Sequence, residues 1–239
     1  MITVITSTLN CENNIIRLAE SLENQTDKDF IWFVVDGLST DSTMSIVDKA
    51  KVNKIVISET DFGVYDALNK ALKKIETDYY IVCGSDDILF PNAIADFKSV
   101  CNNYDIVSCP VMMNGKIATP RNVPKRIALQ MSLISAHAVG TCIKLSLHKE
   151  LGYYDKRYWM VADAHFIMKA YQANKKFGYL DKIVGEYGTE GESSQYFVSA
   201  LTGSLRIEIE DLKWNPFISL LIFNLKMIKN LISRSVFKK

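Results

Sequence analysis

"YYIVCGSDDILFPNA", residues 79–93, has the pattern of a buried strand that ends in two adjacent carboxylates. The stretch is apolar through Cys83, and Asp86 and Asp87 follow where the strand would end. Two neighbouring carboxylates at the mouth of a buried strand repel each other, so the pair needs a compensating partner. A shared divalent cation would supply one. The alternative is that the pair only caps a helix beginning near Pro91.

Strand and helix patterns alternate before this stretch. Short apolar runs rich in β-branched residues alternate with longer runs whose apolar residues recur at helical spacing. The strand segments are "ITVITST", "FIWFVVD", "NKIVIS" and "DYYIVCG", and the helix segments are "NNIIRLAESLENQ", "STDSTMSIVDKAK" and "VYDALNKALKKI". Ser39 or Thr40 is the expected N-cap of the second helix. This alternation predicts a parallel α/β sheet, whose ligands bind at the carboxyl ends of the strands.

Polar residues stand at the ends of three predicted strands. Thr6 and Thr8 end the first, Asp36 ends the second, and Asp86 and Asp87 follow the fourth. Because these ends meet along one edge of a parallel sheet, the residues are expected to converge. Mg²⁺ and Mn²⁺ favour a few carboxylates together with phosphate oxygens, and such a metal can neutralise a departing diphosphate. The convergence therefore favours the metal interpretation of the Asp-Asp pair.

Length and composition indicate one intracellular domain. At 239 residues, of which 48% are hydrophobic, the chain can form one large core. A net charge of +1 gives no reason to expect nucleic-acid binding. The five cysteines are an odd number without paired metal spacing, which indicates a reducing compartment. The chain opens directly with a strand pattern, so no signal peptide is expected, and no apolar run is long enough to span a membrane.

The C-terminal segment "WNPFISLLIFNLKMIKNLISRSVFKK" has a pattern of its own, with no acidic residue after Asp211. One helical stripe contains the apolar residues Ile218, Leu221, Leu225, Ile228, Ile232 and Val236. Basic residues lie off this stripe or at its edge, namely Lys226, Lys229, Arg234 and Lys238. The pattern predicts an interfacial helix attracted by anionic lipids. The alternative is a helix that packs on the domain or on a second subunit.

Four segments of the chain share one family pattern. They are "VITSTLNCENNIIRLAESLENQ", "FVVDGLSTDSTMSIV", "SETDFGVYDALNKALKKIETDYYIVCGSDDILFPNA" and "YDKRYWMVADAHFIMKAYQANKKFGYLDKIVGEY". In order and spacing they resemble the family 2 glycosyltransferases with the GT-A fold, of the kind that builds bacterial surface polysaccharides such as O-antigen, capsule or colanic acid. The resemblance covers roughly residues 2–190.

The resemblance implies a nucleotide-sugar site in the first half of the chain. Thr6 and Thr8 match positions that line the nucleotide pocket, and Asp36 matches the carboxylate that contacts a uracil-type base. Asp61 matches an acidic residue near the base or sugar. For Asp36 the alternative is an Asx-turn residue before Gly37.

The same resemblance extends to the following helix and to the Asp-Asp pair. Asn69 and Lys70 would lie beside the donor on one helical face with Asp66, where Lys70 could aid a phosphate. The alternative is an ordinary solvated helix face. Asp87 would ligate Mn²⁺ or Mg²⁺, and Asp86 would contact the ribose or the same metal.

The second half would supply the acceptor side. Asp163, at the start of a predicted helix, matches the catalytic base that deprotonates the acceptor hydroxyl; the alternative is a helix N-cap. His165 stands where many relatives have a second Asp, and would contact the acceptor or orient the helix. His137 matches a histidine near the diphosphate or acceptor, although a core histidine is the alternative. His148 is expected in an exposed helix without a functional role.

The resemblance implies an inverting, metal-dependent glycosyltransferase that moves a hexose or N-acetylhexosamine from a nucleotide sugar, most simply a UDP sugar, to a lipid-linked oligosaccharide. One alternative is a nucleotidyltransferase, which would need a Gly-rich loop that "TSTLNCENN" lacks. Another is a noncatalytic nucleotide-sugar-binding scaffold, which the presence of both Asp87 and Asp163 disfavours.

The expected organisation has two parts. Residues 1–212 would form the GT-A domain, with a nucleotide-sugar half (1–110) and an acceptor half (111–212). Residues 213–239 would form the basic amphipathic tail. We expect a cytoplasmic protein that binds the inner face of the plasma membrane through this tail, with a homodimer left open.

Overall fold

The computed structural model describes residues 1–188 and 197–236, with side chains as far as Ile232. Its strands are β1 (Ile2–Thr8), β2 (Phe30–Asp36), β3 (Lys54–Ser58), β4 (Tyr79–Val82), β5 (Ile88–Leu89), β6 (Ile106–Ser108), β7 (Val111–Met113), β8 (Lys116–Ala118), β9 (Thr141–Lys144), β10 (Phe177–Tyr179) and β11 (Gly185–Glu186). Its α-helices are α1 (Glu12–Glu23), α2 (Thr43–Lys49), α3 (Val64–Leu72), α4 (Ala93–Cys101), α5 (Lys125–Ala128), α6 (Leu147–Leu151), α7 (Ala162–Gln172), α8 (Phe197–Arg206) and α9 (Pro216–Val236).

The central sheet has the strand order β10-β6-β9-β4-β1-β2-β3. β1 pairs in parallel with both β2 and β4, and β3 continues the parallel arrangement beyond β2. The predicted α/β sheet with flanking helices is therefore confirmed. The four strands expected in the first half are all present, with helices between them.

Two features of the sheets were not predicted. β9 lies antiparallel between β4 and β6, and a separate four-stranded sheet has the order β5-β11-β7-β8. The strands that build these features are only two to four residues long. Runs this short carry too little periodicity to distinguish a strand from a loop.

Side chains of the central strands alternate between two cores, as strand geometry requires. Trp32, Val34 and Ile81 lie in the core under α1 and α4. On the other face, Phe33 and Tyr80 lie in the core with α3 and α7. Both faces of the sheet are therefore covered by helices in the described part of the chain.

A short stretch of π-helix, Ile207–Asp211, directly follows α8. α9 then packs against α8 and this π-helical stretch. No helix in the described part of the chain is both long enough and apolar enough to cross a membrane.

Candidate active site

The carboxyl ends of three neighbouring strands place Thr8, Asp36 and Ser58 at one level. The register pairs Thr8 of β1 with Asp36 of β2, and Asp36 with Ser58 of β3. The Thr8 hydroxyl donates to the Asp36 carboxylate at 3.2 Å, and the Ser58 hydroxyl donates to it at 2.7 Å. Strand register therefore builds this polar cluster directly.

Asp36 is the centre of this cluster, and only 1% of its surface is exposed. The backbone N–H and the hydroxyl of Ser39 also donate to its carboxylate. Burial raises the pKa of Asp36, but the hydrogen bonds from Ser39, Ser58 and Thr8 outweigh burial, so the pKa lies below its ordinary value. Asp36 is thus a negative charge that also organises its own loop, through the backbone N–H of Ser39 three residues on.

Ser39 and Thr40 do not cap the second helix as predicted. α2 begins at Thr43, and Ser42 occupies the N-cap position. Ser39 is instead bonded to Asp36, and the Thr40 N–H donates to Asn10. The requirement to satisfy the buried carboxylate overrides the local capping preference.

Asp61 approaches the same cluster from the loop after β3. One of its carboxylate oxygens lies 2.9 Å from the position that a Cβ on Gly37 would occupy. The other accepts the backbone N–H of Gly63, whose φ of +99° lets the chain turn into α3. Thr6, in contrast, is fully buried, and its hydroxyl accepts from the Trp32 indole at 3.0 Å. The structure therefore brings Asp61 to the cleft and places Thr6 within the core.

The α3 face predicted beside the donor holds neighbouring loops together. The Asn69 amide donates to the Tyr154 carbonyl at 2.8 Å and accepts the Tyr154 N–H at 3.0 Å. Lys70 lies 3.3 Å from Glu59 and 3.4 Å from Asp66. Because Asp66 and Asn69 are both buried, the alternative of a solvated helix face is wrong for them.

Asp87 is buried in the loop after β4, with 2% of its surface exposed. Its two oxygens accept the backbone N–H groups of Gly84 at 2.6 Å and Gly188 at 2.7 Å. Burial raises the pKa of Asp87 to about 7, because the opposing effect of these two amides is smaller and nearby Asp86 raises it further. The pairing of β5 with β11 brings Gly188 over the loop.

Asp86 has different surroundings from its neighbour. It is half-buried and packs closely against the backbone of Gly188. The alternative that the pair caps the next helix is excluded, because α4 begins at Ala93 with Asn92 at its N-cap. The pair therefore forms a loop structure at the strand mouth.

The donor set fits a loosely held hard cation. In residues 1–188 and 197–236 no group of three or more His, Cys, Asp or Glu side chains could enclose a metal. Mg²⁺ commonly binds to one or two carboxylates and takes its other ligands from water and substrate phosphates. Asp86, which is partly exposed, can serve such an ion, whereas Asp87 is only 2% exposed and its carboxylate is bonded to two backbone amides.

Asp163 lies in the first turn of α7, and its carboxylate accepts two hydrogen bonds. The Tyr65 hydroxyl donates to one oxygen at 2.7 Å, and the Gln130 amide donates to the other at 2.9 Å. Asp163 is not the N-cap of α7, because Val161 occupies that position. Burial, followed by the charge of Asp163, raises the pKa of Tyr65 well above its ordinary value, so Tyr65 remains a donor.

Tyr65 and Gln130 were missed by the sequence interpretation. Tyr65 follows the first residue of α3, and Gln130 lies in a short 3₁₀ turn, Leu129–Ser132. Each contact joins segments far apart in the chain, so no local sequence pattern predicts either one. Only the packing of α3 and this turn against α7 brings the three side chains together.

The three histidines have different surroundings. His137 is half-buried and lies 2.7 Å from the Tyr154 hydroxyl. His165 is buried, stacks near Tyr158 and lies 3.6 Å from Asp211, an arrangement that favours its role in orienting α7. The exposed position expected for His148 is wrong, because only 2% of this residue is exposed.

The chain is similar to known proteins in sequence. The family model of "Glycosyl transferase family 2" matches residues 3–174. A PGL/p-HBAD biosynthesis glycosyltransferase of Mycobacterium bovis is 26% identical over 214 residues, which cover 83% of this chain and 80% of the relative. The poly(ribitol-phosphate) beta-N-acetylglucosaminyltransferase TarS of Staphylococcus aureus is 27% identical over 79% of this chain.

TarS is much longer than this chain, and the match covers 35% of it. A further long relative is a teichoic acid poly(glycerol phosphate) polymerase of Staphylococcus epidermidis, which is 30% identical over 46% of this chain. That match covers 16% of the relative. The similarity to both is thus confined to a part of each relative.

Solved structures agree with the family match. The S. aureus TarS fragment 1-349 in complex with UDP-GlcNAc superposes with a TM-score of 0.72 and 26% identity, covering 93% of this chain and 70% of that one. The mannosyltransferase PcManGT of Pyrobaculum calidifontis, in complex with GDP-Man and Mn²⁺, has a TM-score of 0.70 at 18% identity, covers 90% of this chain and 64% of that one, and supports the fold alone. The chain therefore belongs to glycosyltransferase family 2 and has the GT-A fold.

Proposed function

We propose that this glycosyltransferase moves a hexose or an N-acetylhexosamine from a UDP sugar to a hydroxyl group, with inversion at the anomeric carbon. The observation that carries the proposal is a set of carboxylates at the strand ends and on α7. Asp36 ends β2 and Asp86 follows β4, while Asp163 of α7 accepts a hydrogen bond from Tyr65 in the first turn of α3. This geometry supports donor binding on one side and proton acceptance on the other.

The donor side would recognise the nucleotide through Asp36. Its carboxylate accepts hydroxyl donors that can rotate toward other partners, so an N–H of a uracil-type base can take the place of one of them. Thr8 and Asp61 would line the nucleotide site together with Asp36. Thr6, Asn69 and Lys70 would hold the surrounding strands and loops in position. The TarS fragment crystallised with UDP-GlcNAc supports a UDP sugar as the donor.

The divalent cation would bind through Asp86, with Asp87 holding the loop. When bound, Mn²⁺ or Mg²⁺ would offset the charge of the departing diphosphate. An Asp86→Asn variant should lose the increase in donor affinity that Mn²⁺ produces. An Asp87→Asn variant should instead lower the melting temperature without metal, because the new amide nitrogen cannot accept one of the two backbone N–H groups. The reverse pattern would assign the metal to Asp87.

Asp163 would be the catalytic base. Tyr65 and Gln130 orient its carboxylate and leave lone pairs for the hydroxyl of the acceptor. One displacement on the face opposite the diphosphate would invert the configuration.

α9 supports residence of the protein at a membrane surface. Its apolar side chains face outward, including Phe217, Leu221, Leu225 and Leu231, which are 58% to 82% exposed. Ser219 is 1% exposed and lies near Glu208, so α9 packs on the domain along one side while these apolar side chains stay exposed. Lys213 and Lys229 add positive charge, which complements anionic lipids. Of the predicted stripe, the side chain of Val236 lies outside the described residues.

The proposed organisation follows from this helix. Residues 1–212 would form the catalytic domain, with its two halves meeting at residue 110, and residues 213–239 would bind the cytoplasmic face of the membrane. There the enzyme would meet a lipid-linked oligosaccharide for surface-polysaccharide synthesis. The double variant Leu221→Ser, Leu225→Ser should sediment less with anionic vesicles, whereas an Ile117→Ser control, also exposed, should not change. Equal sedimentation of all three proteins would reject the membrane assignment.

A donor panel tests the central proposal. The full chain would be titrated with UDP, GDP and CDP sugars, with and without Mn²⁺, and the transfer products analysed by NMR. We expect a UDP sugar to bind most tightly, with Mn²⁺ strengthening binding, and the product to have the opposite anomeric configuration to the donor. Retention of configuration would exclude a single displacement with Asp163 as base.

A further inference from the structure

A chain of four hydrogen-bonded side chains runs through the interior on the acceptor side. The His137 Nε2 lies 2.7 Å from the Tyr154 hydroxyl, which lies 2.7 Å from the Tyr80 hydroxyl. The Tyr80 hydroxyl lies 2.7 Å from the His148 Nε2. Tyr80, Tyr154 and His148 are each at most 2% exposed, so water cannot compete for these bonds. The chain is therefore a buried structural element in its own right.

The far end of this chain determines the direction of every bond in it. The His148 Nδ1 lies 3.1 Å from the carbonyl oxygen of Gly152, and a carbonyl can only accept. Burial lowers the pKa of His148 to about 4, so its ring is neutral and its Nε2 is an acceptor. Tyr80 must then donate to His148, and Tyr154 must donate to Tyr80. It follows that the Nε2 of His137 donates to Tyr154.

The Nδ1 of His137 is consequently left with a lone pair. His137 is half-buried, and in the ranges 1–188 and 197–236 no group bonds to this Nδ1. The charge of Asp163 is near enough to act on the pKa of His137, which burial lowers. The ring is therefore neutral, and its Nδ1 is an acceptor without a partner among the described residues.

The chain is not a route for protons. It ends at the Gly152 carbonyl, which cannot take up a proton and pass it on. Its effect is to select one tautomer of His137. A neutral ring also suits a neighbour of Asp163, since an imidazolium would pair with that carboxylate and reduce its basicity.

We propose that His137 binds a hydroxyl group of the acceptor through its Nδ1, in a tautomer that Tyr154, Tyr80 and His148 impose. The identity of the ligand as a sugar hydroxyl rests on the proposed function, whereas the tautomer rests only on the hydrogen bonds. Asp163 and His137 would then accept from two hydroxyls of one sugar, and so orient it as well as deprotonate it. Tyr80 and His148 are positioning residues that act through His137.

The tautomers can be read from the side-chain ¹⁵N NMR spectrum of the full chain at neutral pH. We expect opposite tautomers in one protein, with the proton on Nε2 in His137 and on Nδ1 in His148. This measurement needs neither a variant nor a substrate. A proton on the Nδ1 of His137, or on both of its nitrogens, would overturn the proposal.

A pair of adjacent tyrosines gives a matched test of the chain. In Tyr80→Phe, the Tyr154 hydroxyl loses its acceptor and can turn to donate to His137, so the proton of His137 should move toward Nδ1. Tyr79→Phe makes the same chemical change on the opposite face of β4, where the hydroxyl bonds to the Cys101 and Tyr104 carbonyls. It should leave the His137 signal unchanged. An unchanged tautomer in both variants would show that the chain does not control His137.

Methyl glycosides serve as probes of the hydroxyl site. Saturating methyl glucoside, galactoside, mannoside or N-acetylglucosaminide, in the presence of UDP, should shift the Nδ1 resonance of His137 and leave that of buried His165 in place. No shift with any of the four would overturn the hydroxyl assignment. If no nucleotide sugar supports transfer in a separate assay, the proposed function fails while the tautomer result stands, so the two failures can be told apart.

Discussion

The donor end and the acceptor end of the cleft are built by opposite means. At the donor end, register places hydroxyl donors around an ionised Asp36, whose pKa lies below its ordinary value mainly because those hydrogen bonds exceed the effect of burial. At the acceptor end, Asp163 is held by Tyr65, 98 residues away in the chain, and by Gln130, 33 residues away. The charge of Asp36 is thus satisfied by strand register, whereas the orientation of Asp163 depends on the packing of α3 and a short turn against α7.

The largest expected effect comes from removing the base. Asp163→Asn keeps the size of the side chain but cannot accept a proton, so the transfer rate should fall about 10²- to 10⁴-fold, the usual contribution of a positioned base. Donor affinity should change little, because Asp36 and Asp86 are assigned to the other end. Transfer rates would be measured alongside calorimetric titration with UDP.

Asp155→Asn is the control for this change. Asp155 is also close to α7 but pairs with Arg157, so its loss should not affect transfer. Near-normal turnover in Asp163→Asn would show that another residue is the catalytic base. The contrast between the donor end and the acceptor end would then not hold.

The same contrast explains what the sequence could predict. The parallel sheet, the strand ends and the cluster around Asp36 follow from period-2 and helical patterns, because register converts local order into proximity. Tyr65, Gln130 and the buried position of His148 could not be predicted, since each depends on contacts between distant segments. The antiparallel β9 and the small sheet were not predicted from the sequence, because their strands are too short to show periodicity.

Acidification should weaken the buried side-chain network around His148, in a pH range where Asp87, whose pKa is about 7, also takes up a proton. Folding lowers the pKa of His148 from about 6.5 to about 4. Between these values the unfolded chain binds the proton more tightly, so this part of the stability is complete above about pH 6.5 and is lost as the pH falls toward 4. The loss can reach about 3 kcal/mol, at about 1.4 kcal/mol for each pKa unit. Asp36, whose folded pKa lies below its ordinary value, would lose its own contribution only at still lower pH.

Urea unfolding of the wild type and of His148→Gln from pH 7.5 to 4 would measure this loss. The variant should have a lower stability at neutral pH. Because Asp87 titrates in both proteins, the expected signature of His148 is a stability difference that shrinks on acidification. Parallel pH profiles for the two proteins would show that another group, and not His148, titrates in this range.

At the donor end, Asp36→Ala should weaken UDP binding by about 1–3 kcal/mol, the effect of losing a charge-assisted hydrogen bond and leaving its partner unsatisfied. Asp41→Ala is the control, because this carboxylate lies in the same loop but accepts from the backbone of Glu12 and Thr43. Isothermal calorimetry with UDP would compare the two variants. An equal loss of UDP affinity in both variants would indicate a general disturbance of the loop and not a contact between Asp36 and the uracil ring.

The smallest effect tests whether Tyr65 acts through Asp163. Tyr65→Phe removes one donor from a carboxylate that keeps Gln130, so transfer should slow about 3- to 10-fold, in line with roughly 1 kcal/mol for one hydrogen bond. In the Asp163→Asn background the same change should have almost no further effect, since the group that Tyr65 orients is gone. Residues that work as a unit show such non-additivity, whereas independent losses multiply. Tyr171→Phe, a largely exposed tyrosine of α7, controls for the loss of a hydroxyl. Transfer rates for the four members of this cycle would decide the matter, and multiplicative losses would mean that Tyr65 supports the fold of α3 and not the orientation of the base.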